Sequence, residues 1–185
     1  MRILVACEFS GVVRRAFRER GDEAWSCDVL DSEDGGEHYK CDVREVIGEG
    51  WDIMIGHPPC TRLCSSGARW WKGKEEEQDA GIKFFLYLWN APIEKICIEN
   101  PIGIMSRILR KPDQVIQPWQ YGHGEVKGTC LWLKGLNRLR ATNVVDGREA
   151  RCHRASPGID RWKERSRTYE GIAKAMAEQW GSKSG

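Results

Sequence analysis

The chain has 185 residues, 41% of them hydrophobic and 30% charged, with 29 Lys+Arg against 27 Asp+Glu. That balance excludes collagen-like, low-complexity and disordered classes, and no apolar run reaches the roughly 18 to 20 residues a membrane span needs. Residues 1–6 run into Cys7 and Glu8 too early to form a signal-peptide core, so one cytoplasmic domain over residues 1–185 is expected.

Eight cysteines stand singly at 7, 27, 41, 60, 64, 97, 130 and 152, and without an export signal they are expected as reduced thiols. Cys7, Cys27, Cys41, Cys97 and Cys130 fall in or beside strand-like segments, where a thiol behaves as a small buried hydrophobe. Cys60 and Cys64 differ, lying in a Pro/Gly/Ser-rich loop. Charge is unevenly spread: residues 138–167 hold nine Lys/Arg against four acids, a composition shared by solvated loops and phosphate-facing surfaces.

In chain order, Arg2 to Cys7 is a short apolar run of the kind buried on both faces of a parallel sheet. Ser10 is placed to cap a helix with Val12, Val13, Ala16 and Phe17 on one side and Gly21 beyond its end. Ala24 to Val29 reads as a second strand ending in acid, an acidic loop follows, and Tyr39 to Val43 is a third. Trp51 to Gly56 is a fourth strand, stopped by Pro58 and Pro59, which cannot donate to a ladder. Glu75 to Asn90 is helical, with Ile82, Phe85, Leu86 and Trp89 on one stripe. Lys95 to Glu99 is a fifth strand halted at Asn100-Pro101, and Met105 to Leu109 a short helical turn. Gln114 to Gln117 and Thr129 to Leu133 are later strands, and Tyr169 to Trp180 is a final helix. Such alternation predicts a doubly wound α/β sheet with right-handed crossovers.

Ligands of open α/β sheets gather at the carboxyl ends of the strands. Here those ends carry Glu8-Phe9-Ser10-Gly11, Asp28, Asp42, His57-Pro58-Pro59-Cys60 and Glu99-Asn100-Pro101. A single glycine in the first turn argues against a pyrophosphate cradle, whereas Asp28 suits the ribose hydroxyls of an adenosine-bearing cofactor. Cys60 opens a flexible stretch, Thr61 to Gly67, expected to close over a substrate, and its thiol becomes a nucleophile where dipoles or cations favour thiolate. Glu99 stands between Ile98 and Pro101, where desolvation is expected to raise its pKa and make it a proton donor.

These motifs, in this order, resemble those of the DNA cytosine-5 methyltransferases over about the first hundred residues. The Pro-Cys and Glu-Asn pairs, 39 residues apart, are the most specific part, and Arg167 to Ala173 is a fainter echo of that family's closing motif. The resemblance implies a class I methyltransferase fold that binds S-adenosylmethionine. Phe9, Ser10, Gly11 and Pro58 would lie near the cofactor, Asp28 on its ribose and Asp42 near its adenine. It also implies that Cys60 adds to C6 of a pyrimidine while Glu99 engages N3 and the amino edge, with Pro59, Thr61, Ser65, Asn100 and Lys127 on the substrate side.

The chain departs from that pattern at Val12 and Val13, at Thr61 after the cysteine, at Cys64 and at Pro101, and Lys127 stands in for the family's late-strand arginines. About 35 residues separate Leu133 from the closing motif, too few for a separate target-recognition domain. The expected acceptor is therefore DNA read with little sequence selectivity, a single strand or pyrimidine nucleotide, or DNA presented by a specificity partner. Trp70 and Trp71, beside Arg69, Lys72 and Lys74, are candidate base-stacking and phosphate-contact groups. Two rivals share the sequence. One is an amino-methyltransferase using Gly56 to Cys60 as its Pro-Pro loop, although His57 and Cys60 replace the acid or amide and the aromatic such a loop needs. The other is a noncatalytic nucleic-acid-binding protein on the same scaffold. No metal is expected, since His57, Cys60 and Cys64 lack the second ligand pair of a structural zinc site.

Overall fold

A computed structural model of the chain describes residues 1–150 and 161–182. Cys152 and positions 151, 154 and 160 of the basic segment lie outside the described residues. Seven strands form one sheet: β1 (Arg2–Ala6), β2 (Glu23–Asp28), β3 (His38–Lys40), β4 (Ile53–Gly56), β5 (Lys95–Pro101), β6 (Gln114–Ile116) and β7 (Thr129–Lys134). Their spatial order is β3-β2-β1-β4-β5-β7-β6. The first five run parallel, and β7 is antiparallel to both its neighbours. Between β6 and β7 there is one 3-10 turn (Pro118–Gln120) and no crossover helix, so the chain returns in the opposite direction.

Helices cover both faces, as a doubly wound sheet requires. They are α1 (Val12–Arg18), α2 (Glu75–Trp89), α3 (Met105–Ile108), α4 (Arg161–Ser166) and α5 (Glu170–Trp180). Strand side chains alternate between two cores. Ile3, Val5, Ile53, Ile55 and Leu131 face α1 and α5, meeting Val13, Phe17, Ile172 and Met176. Leu4, Met54, Ile96, Ile98 and Trp132 face α2, where Phe85 packs edge-on against Trp132 with ring centroids 5.2 Å apart. Phe85 and Leu88 are fully buried, each contributing about 1.5–3 kcal/mol. Leu88 joins the α2 stripe, while Ile82, Leu86 and Trp89 are only partly buried against it.

Several expected boundaries move. β3 ends at Lys40, because Asp42 caps a 3-10 turn (Val43–Glu45) instead of extending a strand. β5 continues through Asn100 and Pro101, whose missing N–H is tolerated at the last paired position, opposite Thr129. Residues 161–166 of the expected basic loop are helical. Ser10 is not the cap of α1: Gly11 holds that position in the left-handed region at φ 69°.

Candidate active site

The carboxyl ends of β1, β4 and β5 open onto one cavity of about 620 Å³ including its mouth, rimmed on the far side by Lys127 and residues 165–168. Register determines what faces it. Gly56 pairs with Ile98, so His57 and Glu99 follow on adjacent strands one step beyond, and His57 N–H donates to the Ala6 carbonyl at 2.9 Å. Cys60 and Glu99, separated in sequence, thus line the same cavity. Pro58, Pro59, Asn100, Lys127, Phe9 and Ser10 line it as well.

The loop after Cys60 is pinned down, which corrects the expectation of a flexible lid over Thr61 to Gly67. The Cys60 carbonyl accepts from both Leu63 N–H and Cys64 N–H at 2.9 Å. Ser65 N–H donates to the Ile102 carbonyl at 3.0 Å, Ile104 N–H to the Leu63 carbonyl at 2.9 Å, and Cys64 bridges Gly103. Leu63 is fully buried, and residues from Ser65 onward form a 3-10 helix, Ser65–Trp70. Thr61 and Ser65 are exposed and are not among the residues lining the cavity. Trp71 packs partly buried against the α2-side core. Lys74 pairs with Glu77 at 2.8 Å.

Glu99 departs from expectation. Burial does oppose its charge, but the hydrogen bond and charge of His57, with Lys127 adding to them, outweigh it and hold the carboxyl below the usual glutamate range. His57 Nδ1 lies 2.8 Å from Glu99 Oε2, with side chains 10% and 14% exposed. For His57, burial disfavours the imidazolium, yet Glu99 and Glu8 prevail and its pKa is raised. Burial pushes the Cys60 thiol up, as do Cys64 and the Glu99 charge, while Lys127 pulls it down. Cys7, held at φ 61° after β1, is pushed to about 12 by burial and by the nearby charges of Asp28 and Asp42. That thiol is inert at neutral pH.

Glu8 is the site residue whose role local sequence hides. Its carboxylate, 5% exposed, accepts Val13 N–H at 2.7 Å and Arg14 N–H at 3.2 Å, occupying the N-terminus of α1. A phosphate cannot take that place, while a cation can sit beside it. Above it, the acidic loop closes on Gly11, where a Cβ would collide with Asp34 and Arg14. Asp28 is half-buried and accepts Leu30 N–H at 3.0 Å; burial raises its pKa. Asp42 spends both oxygens on Arg44, each contact 2.9 Å. Asp28 and Asp42 flank Cys7 without lining the cavity, and Gly11 also lies outside its lining. At the end next to α1 the buried Glu8 carboxylate stands beside the apolar walls of Phe9 and Pro58, a setting that fits a cationic cofactor such as S-adenosylmethionine, while Lys127, Arg165 and Arg167 line the opposite rim.

The closing segment returns to this rim. Lys127 Nζ donates to the Arg165 carbonyl at 2.8 Å, Arg167 pairs with Glu33 at 2.8 Å, and Gly171 N–H donates to His123 Nε2 at 3.0 Å.

No protein-family model matches the chain, and no curated protein does. Among solved structures it is similar to a protein assigned as a prophage-encoded DNA modification methyltransferase of E. coli, with a TM-score of 0.53 at 13% identity over 78% of this chain and 52% of that one. It is also similar to the S. pombe Dnmt2 methyltransferase, with a TM-score of 0.48 at 14% identity over 75% of this chain and 50% of that one. The chain thus spans about half the length of these neighbours. With the strand order and the antiparallel seventh strand, the first likeness establishes the architecture as the class I S-adenosylmethionine-dependent methyltransferase fold.

Proposed function

We propose that the chain is an S-adenosylmethionine-dependent methyltransferase acting on C5 of cytosine in DNA, or of a related pyrimidine acceptor, with Cys60 as nucleophile. The observation that carries this reading is that the Cys60 thiol and the Glu99 carboxyl group line one cavity beside Lys127. Cytosine C5 is a poor nucleophile, and thiolate addition at C6 with a proton delivered to N3 converts it into an enamine carbon. Glu99 holds the N3 and amino edge, and Asn100 fixes the loop that carries the thiol. Lys127 favours thiolate. Bound S-adenosylmethionine supplies an electrophilic methyl group on a cationic sulfur. Phe9, Ser10, Gly11 and Pro58 would hold that cofactor, with Asp28 serving its ribose and Asp42 its adenine end. Loss of the C5 proton and expulsion of the Cys60 thiolate restore aromaticity.

The acceptor reading is DNA, reached in a duplex by flipping the base at a cost of a few kcal/mol. Pro59, Thr61 and Ser65 stand on the substrate side, and the basic stretch over residues 138–167 supplies phosphate contacts within a single domain spanning residues 1–185. Among the described residues no helix is long and apolar enough to cross a membrane. The amino-methylation rival is weaker because His57 and Cys60 stand where such a loop needs an acid or amide and an aromatic, and His57 Nδ1 is engaged by Glu99.

The test is an oligonucleotide containing 5-fluorocytosine, incubated with the protein and S-adenosylmethionine and read by intact mass. A covalent adduct in wild type, absent in Cys60→Ala and slower in Cys64→Ala, is expected. Cofactor binding without an adduct on any cytosine substrate overturns the reading.

A further inference from the structure

Resting on that reading of Cys60 and Glu99, we propose that His57 is a positioning residue that holds the proton which Glu99 passes to N3 of the pyrimidine. Three observations carry it. His57 Nδ1 and Glu99 Oε2 are 2.8 Å apart, on residues that follow a paired register position of two adjacent strands, so the contact is set by the sheet and not by loose side-chain packing. Both groups are nearly out of water, at 10% and 14% side-chain exposure, so a proton on one has few competing acceptors. The other ring nitrogen, Nε2, is buried and meets no hydrogen-bond partner, which leaves Glu99 as the imidazole's protein acceptor.

The charged and titratable groups facing the imidazole come from every side of the cavity. Glu99 is on β5, Glu8 follows β1 and Lys127 precedes β7, while Cys60 ends the same loop. Arg165 and Arg167 stand on the far rim of the cavity; of the charges that act on the imidazole, Glu99 and Glu8 favour keeping a proton on the pair and Lys127 opposes it. The pair exists as imidazolium with carboxylate, or as neutral imidazole with carboxylic acid, and the two forms differ only in the position of that proton.

The step balances as follows. As the Cys60 sulfur bonds to C6, the C5=C6 electron pair moves toward C4 and N3. N3 takes the proton from the Glu99 carboxyl group, and Glu99 takes the Nδ1 proton of His57. After C5 has taken a methyl group from a sulfonium donor, whose S–CH3 bond breaks to leave a thioether, the C5 proton leaves to water, the C6–S bond breaks, and N3 returns its proton along the same path. The pair is neither consumed nor charged overall, and the thiol proton exchanges with solvent.

Histidine-labelled NMR titration, run with adduct formation on the 5-fluorocytosine oligonucleotide, tests this. His57 is expected to stay protonated above the ordinary histidine value of about 6.5 in wild type and to fall by about one pKa unit or more in Glu99→Gln. His57→Asn keeps a donor for Glu99 but stores no titratable proton. In that variant the adduct rate at pH 8 is expected to drop about tenfold or more, with its alkaline limb displaced to lower pH and oligonucleotide affinity within about twofold of wild type. An ordinary His57 titration unchanged by Glu99→Gln, or a wild-type pH profile in His57→Asn, overturns the inference. If His57→Asn does not fold, the titration pair decides alone. A raised, Glu99-dependent His57 in a wild type that forms no adduct overturns the cytosine reading and the delivery step with it, and is told apart by the intact proton coupling.

Discussion

The side-chain amide of Asn100 donates to the carbonyl of Pro58 at 3.0 Å, tying the end of β5 to the proline loop that carries Cys60. Asn100 is 2% exposed, so neither partner has water as an alternative. One buried hydrogen bond thereby sets the relation between the two motifs on which the proposed chemistry depends.

Replacing Asn100 with Ala leaves the Pro58 carbonyl unsatisfied in the interior. A loss of about 1–3 kcal/mol is expected, measured as a lower urea midpoint with an unchanged slope. Adduct formation is expected to fall further than stability, because the loop loses its tether. Full stability in Asn100→Ala would refute the tether.

Gly103 lies where the Cys60 loop crosses the segment after β5. A Cβ there would overlap the Leu63 carbonyl oxygen and stand 3.1 Å from the Cys64 Cα. Gly103→Ala is expected to cost about 1–3 kcal/mol by overpacking, seen as a reduced Tm. An unchanged melting curve would show that the loop is free to move.

Asp34 pairs with Arg14 and with Arg15, the latter at 2.6 Å, and Arg14 is only 1% exposed. Burial opposes the Asp34 charge, but the two arginines outweigh it and hold its carboxyl well below the usual range. The folded pKa lies beneath the unfolded value of about 3.9, so this contribution is complete above that value and is lost as pH falls through the folded pKa. Asp34→Asn strands the Arg14 charge and is expected to cost about 3 kcal/mol at neutral pH. Its stability, followed by denaturation from pH 7 to pH 2, is expected to decline less steeply than that of wild type.

The Cys60 thiol is raised by burial and restrained by Lys127. Alkylation of Cys60 by iodoacetamide, followed by peptide mass, is therefore expected to be slow at pH 7 and to climb through pH 9. Lys127→Met removes the restraining charge, shifting that profile to higher pH and slowing the reaction at pH 8 roughly two- to fivefold. A profile unmoved by the substitution would take Lys127 out of the thiol's environment.

Local pattern was enough for the strands and the longer helices, though not for the helix over residues 161–166 or the 3-10 helix Ser65–Trp70, and for the ends of β1, β4 and β5 that meet in the cavity. Apolar runs buried on both faces mark β1, β4 and β5, and the prolines that follow His57 mark where β4 stops. These signals are short-range, depending only on side-chain period and the missing proline N–H. Tertiary structure decided what depends on partners distant in the chain. Glu99 has apolar neighbours in sequence, which points to a raised pKa, yet its hydrogen-bond partner is 42 residues away and reverses the sign. Glu8 reads as a strand-end acid until the fold turns it back onto the α1 amides. The direction of β7 and the anchoring of the Cys60 loop by Gly103 belong to the same class. In each case a backbone pairing brings groups together in a low-dielectric space, and their energies depend on that distance and burial, which periodicity does not encode.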